Sequence, residues 1–192
     1  MPKKSIRRQI LARRRQLSAE GCLRDSLLAQ GRLVTTAEFM SAAVVALYSP
    51  ILNELFTEEI SREALLQGKR VAYPRVTGQG LEFAEVKGHA ALVPGAFGIL
   101  EPAGCRVVPI ATLDLIVVPG VAFDLQGGRL GYGKGFYDRV LHRRGEGRLV
   151  GLCFEFQLVD QLPTETHDIL MDLVITERRI VRPATRAARH SS

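Results

Sequence analysis

The chain has 192 residues, of which 46% are apolar and 24% charged, and this composition is that of a globular domain and excludes a fibrous or disordered protein. It contains no apolar run near the ~18 residues that cross a bilayer, and no apolar segment follows the basic N-terminus. The net charge of +6 comes from residues 1–15 and 178–192, which contain Lys and Arg but no Asp or Glu. We therefore expect a cytoplasmic protein without membrane contact, with one domain over residues 1–177 and a basic, disordered tail over 178–192. An RNA-binding tail is the alternative for those last residues.

The three cysteines do not form a recognisable site. Cys22, Cys105 and Cys153 are an odd number at unrelated spacings, with no C-x-x-C pair and no His at metal-ligand spacing. This pattern is typical of buried thiols in a reducing compartment, which agrees with the expected location.

Two helices are predicted at the start of the chain. Apolar residues recur at helical spacing from Lys3 to about Leu17, and Ser18 is a suitable N-cap for a second helix over residues 19–38. We expect the buried stripe of this second helix to contain Leu23, Leu27, Leu28 and Leu33.

Short apolar segments then alternate with two further helices. Thr57 and the two glutamates after it predict a capped helix that ends near Gly68, and another helix is predicted over residues 136–144. The stretch 87–109 is rich in Gly and Pro and is predicted to be a weakly structured surface connection or a flap over a ligand. The predicted strands are 42–48, 70–73, 81–86, 113–118, 149–154 and 173–175. This alternation predicts a single α/β domain with a largely parallel sheet flanked by helices.

The most informative segment is glycine-rich. Five glycines, three cations, two tyrosines and a carboxylate lie within residues 127–139, after a predicted strand and before a predicted helix. Glycines let backbone N–H groups approach a ligand closely, and the cations supply charge for phosphate oxygens. In a parallel sheet this loop would lie at the carboxyl ends of the strands, where ligands collect. The alternative for the segment alone is a flexible hairpin with solvated charges.

Two well-known glycine motifs do not fit this segment. Residues 128–134 match G-x-x-x-x-G-K, but Gly135 stands where a P-loop needs Ser or Thr to hold magnesium. Phe136 stands where a dinucleotide-binding fingerprint needs its third glycine. The segment therefore predicts a phosphate-binding loop of another kind.

Other candidate residues each have a second interpretation. Lys3 and Arg7 lie on one face of the first helix, where they could hold a polyphosphate or be simply solvated. Glu54 follows a strand and could bind an amine-rich ligand or lie on the surface. Asp138 and Asp168 are candidate magnesium ligands, although Asp138 could instead favour the N-terminus of its own helix.

Taken together, these segments resemble a known family. Residues 114–124 and 128–139 are similar to the signature of the 5-formyltetrahydrofolate cyclo-ligases, also called 5,10-methenyltetrahydrofolate synthetases. The resemblance extends to the Lys3 to Arg7 helix, to Glu54 and to segments 97–102 and 167–176, and it leaves only the Arg-rich tail without a counterpart. It implies a fold similar to the sugar-phosphate isomerase and CoA-transferase type.

The resemblance also implies a reaction. ATP and Mg²⁺ would drive closure of 5-formyltetrahydrofolate, with one or several glutamates on its tail, to 5,10-methenyltetrahydrofolate, with release of ADP and phosphate. Phosphorylation makes the formyl oxygen a leaving group, and a neighbouring folate nitrogen then attacks the activated carbon. The expected protein is a monomer that acts on this small molecule and not on nucleic acid.

The resemblance assigns roles to residues of this sequence. The catalytic residues would be Lys134, which stabilises charge on the transferred group, and Arg129. The substrate would contact Glu54, Phe97 and Tyr132, and magnesium would bind Asp138 and Asp168. ATP would bind Lys3, Lys4, Ser5, Ile6, Arg7, Arg129, Leu130, Gly131, Tyr132, Gly133, Lys134, Gly135, Phe136 and Tyr137.

Two alternatives stand beside this interpretation. A nucleotide- or RNA-binding module without ligase activity would use the same loop for phosphate and the basic ends as an electrostatic clamp. A different ATP-dependent enzyme could also use this scaffold, because a fold does not determine a function.

Overall fold

The computed structural model describes residues 2–78, 80–88, 91–95, 98–104, 106–163 and 168–184, and in these residues helices alternate with strands. The helices are α1 (Lys3–Arg15), α2 (Ala19–Val34), α3 (Ala37–Ser41), α4 (Glu58–Leu66) and α5 (Phe136–Leu141). The first strands are β1 (Val44–Ala46), β2 (Arg70–Thr77), β3 (Gly80–Val86), β4 (Leu92–Pro94), β5 (Leu100–Pro102) and β6 (Val107–Val108). The later strands are β7 (Leu115–Val118), β8 (Ala122–Asp124), β9 (Arg129–Leu130), β10 (Arg148–Leu152), β11 (Leu158–Val159), β12 (Leu173–Ile175) and β13 (Ile180–Val181). Within the described ranges, no helix is long and apolar enough to cross a membrane.

Eight of these strands form one sheet in the order β13-β12-β10-β7-β1-β2-β3-β6. The central strands β12, β10, β7, β1 and β2 are parallel, and the strands on both sides of them run antiparallel to their neighbours. The predicted α/β domain with a largely parallel sheet is therefore confirmed. From β1 the chain continues to β2, β3 and β6 on one side, and it then forms β7, β10 and β12 on the other side of β1, so the strand order reverses between β1 and β7. In open α/β sheets, ligands bind at such a switch point.

Helices cover both faces of this sheet. Val45 of β1 belongs to a core cluster with Leu33 of α2 and Ile60 of α4. On the opposite face, Ile116 of β7 packs in a second cluster with Leu141 of α5. Because successive side chains of a strand point to opposite faces, strands buried on both sides are apolar throughout, as the sequence pattern indicated.

The N-terminal helix packs elsewhere, on a second, smaller sheet with the strand order β11-β8-β9. Ile6 and Ile10 of α1 form a third cluster with Ala122 of β8 and Leu130 of β9. This packing places the length of α1 beside the glycine-rich segment.

The prediction of one continuous glycine-rich loop is wrong, because part of the segment is a β-hairpin of β8 and β9. The buried Asp124 carboxylate holds its turn by accepting hydrogen bonds from the N–H groups of Gln126, Gly128 and Leu162. A Cβ atom at Gly127 would lie 2.5 Å from the Met171 carbonyl oxygen, and one at Gly128 would lie 2.6 Å from Asp124 Oδ2. These two glycines therefore serve the fold, and the loop itself begins only at residue 131, after β9.

The predicted buried face of α2 is also wrong, except at Leu33, which is buried as predicted. Leu23, Leu27 and Leu28 are about half exposed, with relative exposures of 50%, 45% and 51%. The buried residues of this helix are Cys22, Ser26, Ala29, Gln30 and Leu33. The Ser18 N-cap is confirmed, since its side chain accepts a hydrogen bond from Gly21 N–H. The helix ends earlier than predicted because Thr36 caps a separate helix, α3.

Polar residues occupy this face of α2 because they accept hydrogen bonds from backbone N–H groups at and near the start of α4. The side-chain oxygen of Gln30 accepts hydrogen bonds from Glu59 N–H at 2.9 Å and from Ile60 N–H at 3.3 Å. The sequence predicted that Thr57 caps its own helix, and this prediction is wrong. The Thr57 hydroxyl instead donates to the Tyr48 carbonyl. A side chain from α2 thus supplies the cap that α4 lacks.

The stretch 87–109 is more structured than predicted, since it contains β4, β5 and β6. The Ser49 hydroxyl donates to the Leu100 carbonyl, so the hairpin of β4 and β5 is attached next to the end of β1.

At the other end of the chain, β13 lies beyond the predicted boundary at residue 177 and pairs with β12. Residues 185–192 of the predicted tail, and Cys105, lie outside the described residues.

The cap that Gln30 provides can be tested by removing it. Gln30→Ala leaves two N–H groups of α4 without their acceptor, and we expect it to lower the free energy of unfolding by about 1–3 kcal/mol. The control is Gln9→Ala on the exposed side of α1, expected to change it by about 0.5 kcal/mol or less. The measurement is urea denaturation, and equal effects of the two substitutions would contradict the cross-helix cap.

Candidate active site

A crevice of about 770 Å³ lies at the switch point of the sheet. The segment after β1, from Tyr48 to Glu54, forms one side, and Pro119 after β7 lies at its base. Lys3 and Arg7 of α1 and the loop 131–135 form the other side. The volume is in the range of small-molecule binding sites.

The loop 131–135 presents its backbone to this crevice. Gly133 and Gly135 have φ angles of 97° and 67°, in the left-handed region that favours glycine, and Gly135 is the N-cap residue of α5. The guanidinium Nε of Arg7 donates to the Gly131 carbonyl at 2.8 Å and so attaches α1 to the loop. The nearest atom to a Cβ at Gly133 would be 3.8 Å away, so the need for glycine there is conformational.

Four cations line this half of the crevice: Lys3, Arg7, Arg129 and Lys134. Two carboxylates accompany them, because Lys3 Nζ lies 3.7 Å from Asp168 Oδ2 and the Arg129 guanidinium binds Asp138. The Arg129 side chain is only 5% exposed. Its Nε is buried without a hydrogen-bond partner among the described residues. The excess of positive charge suits a polyanion such as a polyphosphate.

Most of the residues that were predicted to bind a nucleotide line the crevice, and three of them do not. Residues 129–137 all line it, as do Lys3 and Arg7. Lys4, Ser5 and Ile6 lie between these two cations and do not line it, and Ile6 packs in the core against the small sheet. This is the result of the helical repeat, which turns only the first and fifth residues of the segment to the same face.

The predicted metal ligands Asp138 and Asp168 both line the crevice. No group of three or more His, Cys, Asp or Glu side chains that could hold a metal ion occurs within the described ranges. A magnesium site therefore stays a prediction.

The thiols of Cys22 and Cys153 are buried and free, as predicted, and burial raises the pKa of both.

Glu54 is carried by a tight turn directly after β1. Its N–H donates to the Ile51 carbonyl at 2.9 Å, and the two residues between them, Leu52 and Asn53, have φ angles of 50° and 58°. Two left-handed residues in succession are the pattern of a type I′ turn, which Leu rarely enters. Ile51 N–H donates to Glu54 Oε2 at 3.1 Å. The interpretation of Glu54 as a surface residue is wrong, since it is 4% exposed and lines the crevice.

A buried arginine and a tyrosine of the glycine loop meet at this carboxylate. The Tyr132 hydroxyl donates to Glu54 Oε1 at 2.8 Å, and Arg14 Nη2 donates to the Tyr132 hydroxyl. Arg14 is 0% exposed and its Nη1 lies 3.8 Å from Glu54 Oε1. The sequence analysis did not identify Arg14, although it lies at helical spacing from Lys3, Arg7 and Ile10 on the same face of α1.

Burial sets the protonation of these groups. Desolvation raises the pKa of Glu54, and Arg14, the Tyr132 hydroxyl and Ile51 N–H oppose this rise. Desolvation also raises the pKa of Tyr132 and Tyr48, so both phenols stay protonated near neutral pH. A hydroxyl that remains protonated can donate to Glu54 throughout that range.

Around Glu54 the crevice is largely apolar. Its wall here suits a flat ring, whose N–H groups could reach the carboxylate. The apolar residues that line this part are Pro50, Ile51, Pro74, Val76, Leu81 and Ile99. Phe97, which the sequence also predicted to contact a substrate, lies outside the described residues.

A doubly wound α/β domain that joins a cationic glycine loop to an apolar pocket with one buried carboxylate belongs to the class of nucleotide-dependent small-molecule enzymes. Within this class, the chain matches the 5-formyltetrahydrofolate cyclo-ligase family over residues 1–177. The chain belongs to that family, and the resemblance in its sequence is confirmed.

Individual relatives agree with this assignment. A 5-formyltetrahydrofolate cyclo-ligase from Mus musculus is 32% identical over 189 residues, which cover 91% of this chain and 93% of the mouse protein. The protein of the same name from Escherichia coli strain K12 is 34% identical, over 89% of this chain and 98% of its own length. The solved structure of 5,10-methenyltetrahydrofolate synthetase from Aquifex aeolicus is similar along the whole of both chains, with 37% identity and a TM-score of 0.85.

Two tyrosines in the crevice give a test of its design. The Tyr48 hydroxyl donates to the Leu55 carbonyl at 2.8 Å, whereas the buried Tyr137 hydroxyl has no hydrogen-bond partner among the described residues. Tyr48→Phe should therefore lower the free energy of unfolding by about 1 kcal/mol, and Tyr137→Phe should leave it unchanged or raise it by up to about 1 kcal/mol. Urea denaturation of the ligand-free protein measures both. A loss at Tyr137→Phe as large as that at Tyr48→Phe would contradict the interpretation that its hydroxyl is unsatisfied.

Proposed function

We propose that this protein uses ATP to close 5-formyltetrahydrofolate to 5,10-methenyltetrahydrofolate, with release of ADP and phosphate. The observation that carries the proposal is the hydrogen bond between Tyr132 and Glu54. It joins the cationic glycine loop to the carboxylate of the apolar pocket, so that a polyphosphate and a flat ring would meet in one crevice. Membership of the cyclo-ligase family supports the same reaction. As the sequence predicted, we infer a monomer, because one chain supplies every residue that this proposal uses. The cytoplasmic location is proposed on the sequence expectation alone.

On the folate side, Glu54 is the recognition group. A carboxylate is an acceptor only, with room for several hydrogen bonds, and the pterin ring of folate offers N–H donors on one edge. Tyr132 and Ile51 already donate to Glu54, and the remaining acceptor positions are those that would face the ring. Phe97 is proposed as a neighbour of the folate on the resemblance alone.

On the nucleotide side, the residues act by position and charge. Lys3 and Arg7 of α1 would bind phosphates, and the backbone of residues 131–135 would wrap them, since glycines allow N–H groups a close approach. Arg129 and Lys134 would stabilise negative charge on the transferred group. Asp138 and the Pro119 carbonyl hold the Arg129 guanidinium in place.

The reaction then follows from the reactants. The formyl oxygen attacks the γ-phosphorus and ADP leaves, which converts a poor leaving group into a good one. The neighbouring folate nitrogen attacks the formyl carbon, the carbon–oxygen bond breaks, phosphate leaves and the nitrogen loses its proton. Phosphoryl transfer of this kind depends mainly on alignment and neutralisation of charge, which the crevice provides.

Magnesium is the proposed metal, with Asp138 and Asp168 as its ligands. The donor set fits, because Mg²⁺ in nucleotide sites is held by one or two carboxylates together with the substrate's phosphates, and both residues line this crevice. The ion would neutralise charge on those phosphates. Arg129 and Lys3 now pair with the two carboxylates and lie where they could contact the phosphates as well.

The proposed reaction has a direct assay. Protein incubated with 5-formyltetrahydrofolate, ATP and Mg²⁺ should form the methenyl chromophore, which absorbance follows continuously. Omission of ATP should abolish product, and addition of a chelator should reduce it reversibly, since Mg²⁺ in excess of the chelator restores the ion. Absence of product from folded protein would refute the ligase, and in that case RNA binding with a steep salt dependence would favour the rival module.

Lys134 should have a role in turnover. We expect Lys134→Ala to reduce kcat by about 10² or more, because a cation at the transferred group is lost. Lys87→Ala removes an equal charge from an exposed position outside the crevice and should leave kcat unchanged. Steady-state rates at saturating substrates measure both variants, and a near-normal kcat for Lys134→Ala would show that this lysine does not assist transfer.

A further inference from the structure

Among the described residues, Arg14 is the largest side chain that the fold buries completely, and its side-chain contacts lead to the substrate side of the crevice. It does not line the crevice itself but lies behind it on α1. Full burial of an arginine is rare, because removal of its charge from water is strongly unfavourable unless other groups compensate. The partners of this guanidinium therefore indicate its role.

The first set of contacts supports the turn that carries Glu54. Arg14 Nε donates to the Leu52 carbonyl at 2.8 Å, and the Asn53 side chain donates to the Arg14 carbonyl at 3.3 Å. Both partners are the left-handed residues of the turn, at φ angles of 50° and 58°. A leucine remains in this conformation only where its surroundings hold it there. Arg14 thus stabilises the turn through contacts made from the interior of the protein.

The second set reaches the carboxylate. Arg14 Nη2 donates to the Tyr132 hydroxyl, which in turn donates to Glu54 Oε1. Arg14 Nη1 lies 3.8 Å from the same oxygen, without a hydrogen-bond partner among the described residues. One guanidinium therefore contacts the turn below Glu54, the hydroxyl beside it and, by charge, the carboxylate itself.

Arg14 is also the positive charge nearest to Glu54. Among the described residues, the other titratable groups near the carboxylate are Tyr132 of the glycine loop, Tyr48 after β1 and Tyr137 of α5, and the Cys22 thiol of α2 donates to the backbone carbonyl of Glu54. Burial raises the pKa of each of these four, so all of them are neutral at pH 7. Arg14 is therefore the charge that favours ionised Glu54, and it acts together with the hydrogen bonds from Tyr132 and Ile51.

We propose that Arg14 is a positioning residue for folate binding, which keeps Glu54 ionised and fixes its orientation towards the crevice. This inference rests on the proposed function, in which Glu54 accepts hydrogen bonds from the ring. A protonated Glu54 would present an O–H group to N–H donors, and a displaced Glu54 would no longer meet them. Loss of Arg14 should thus weaken binding of the folate far more than it slows the bound complex.

The experiment compares Arg14→Met with Arg15→Met, which removes the same charge from an exposed position one residue further along α1. For Arg14→Met we expect the KM for 5-formyltetrahydrofolate to rise about tenfold or more, with a smaller change in kcat. The acid limb of kcat/KM should move upward by about one pH unit or more, because loss of a nearby opposite charge raises the pKa of a carboxyl group. Arg15→Met should match the unmodified enzyme in both measurements.

Arg14→Lys separates charge from geometry. It retains a positive charge but not the planar guanidinium that contacts Leu52 and Tyr132 together, so the acid limb should stay near its original pH while KM rises about tenfold. This variant decides the question if Arg14→Met does not fold, as judged by circular dichroism. Unchanged KM in Arg14→Lys would then overturn the inference.

The possible failures are distinct. If the unmodified enzyme forms methenyl product and Arg14→Met folds with the KM and pH profile of Arg15→Met, Arg14 has only a structural role and the inference is refuted. If the unmodified enzyme forms no product at all, it is the proposed function that fails. A loss of kcat with unchanged KM and pH profile would also contradict a positioning role at the folate site.

Discussion

Burial of the Glu54 carboxylate is the constraint on which the arrangement of the crevice depends. A carboxylate away from water is unstable unless charge and hydrogen bonds compensate it, and no one element of this fold supplies both. The charge comes from Arg14 on α1, one hydrogen bond from Tyr132 on the glycine loop, and another from Ile51 in its own turn. Helix, loop and turn must therefore come together in one arrangement for the carboxylate to remain ionised.

This requirement explains the unusual place of α1 in the fold. The other long helices cover the main sheet, whereas α1 packs on the small sheet of β11, β8 and β9. From there a single face of the helix presents Lys3 and Arg7 to the crevice and Arg14 to the groups behind it. The same face thus combines two kinds of arginine: Arg7 is half-exposed and is proposed to bind a phosphate, whereas Arg14 is fully buried beside a carboxylate. Their environments, more than their chemistry, separate the two roles.

The sequence predicted the parts of the structure that depend on local pattern. Periodicity and composition were enough to predict the apolar strands, the Ser18 cap and the four cations of the crevice. These cations are Lys3, Arg7, Arg129 and Lys134. The buried face of α2 could not be predicted in this way, since Ser26 and Gln30 are buried in order to satisfy backbone groups near the start of α4. A hairpin was only the alternative for the segment that contains the turn of β8 and β9, because its glycines look like ligand-binding residues until the contacts of Asp124 are known. Arg14 illustrates the same limit, as in the sequence it is one of three consecutive arginines and only tertiary contacts distinguish it from its neighbours.

The contacts of α1 also have a consequence for the order of folding during synthesis. Arg7 and Gly131 are 124 residues apart in the chain, and Arg14 and Tyr132 are 118 residues apart. During translation α1 leaves the ribosome long before Gly131 and Tyr132 exist, so Arg7 and Arg14 can make these two contacts only after residues 129–132 have emerged. Contacts of such separation form late, after the local elements that they connect. The crevice is thus complete only when about the last third of the chain has been made. A nascent protein that ends before the glycine loop contains α1 but lacks the crevice.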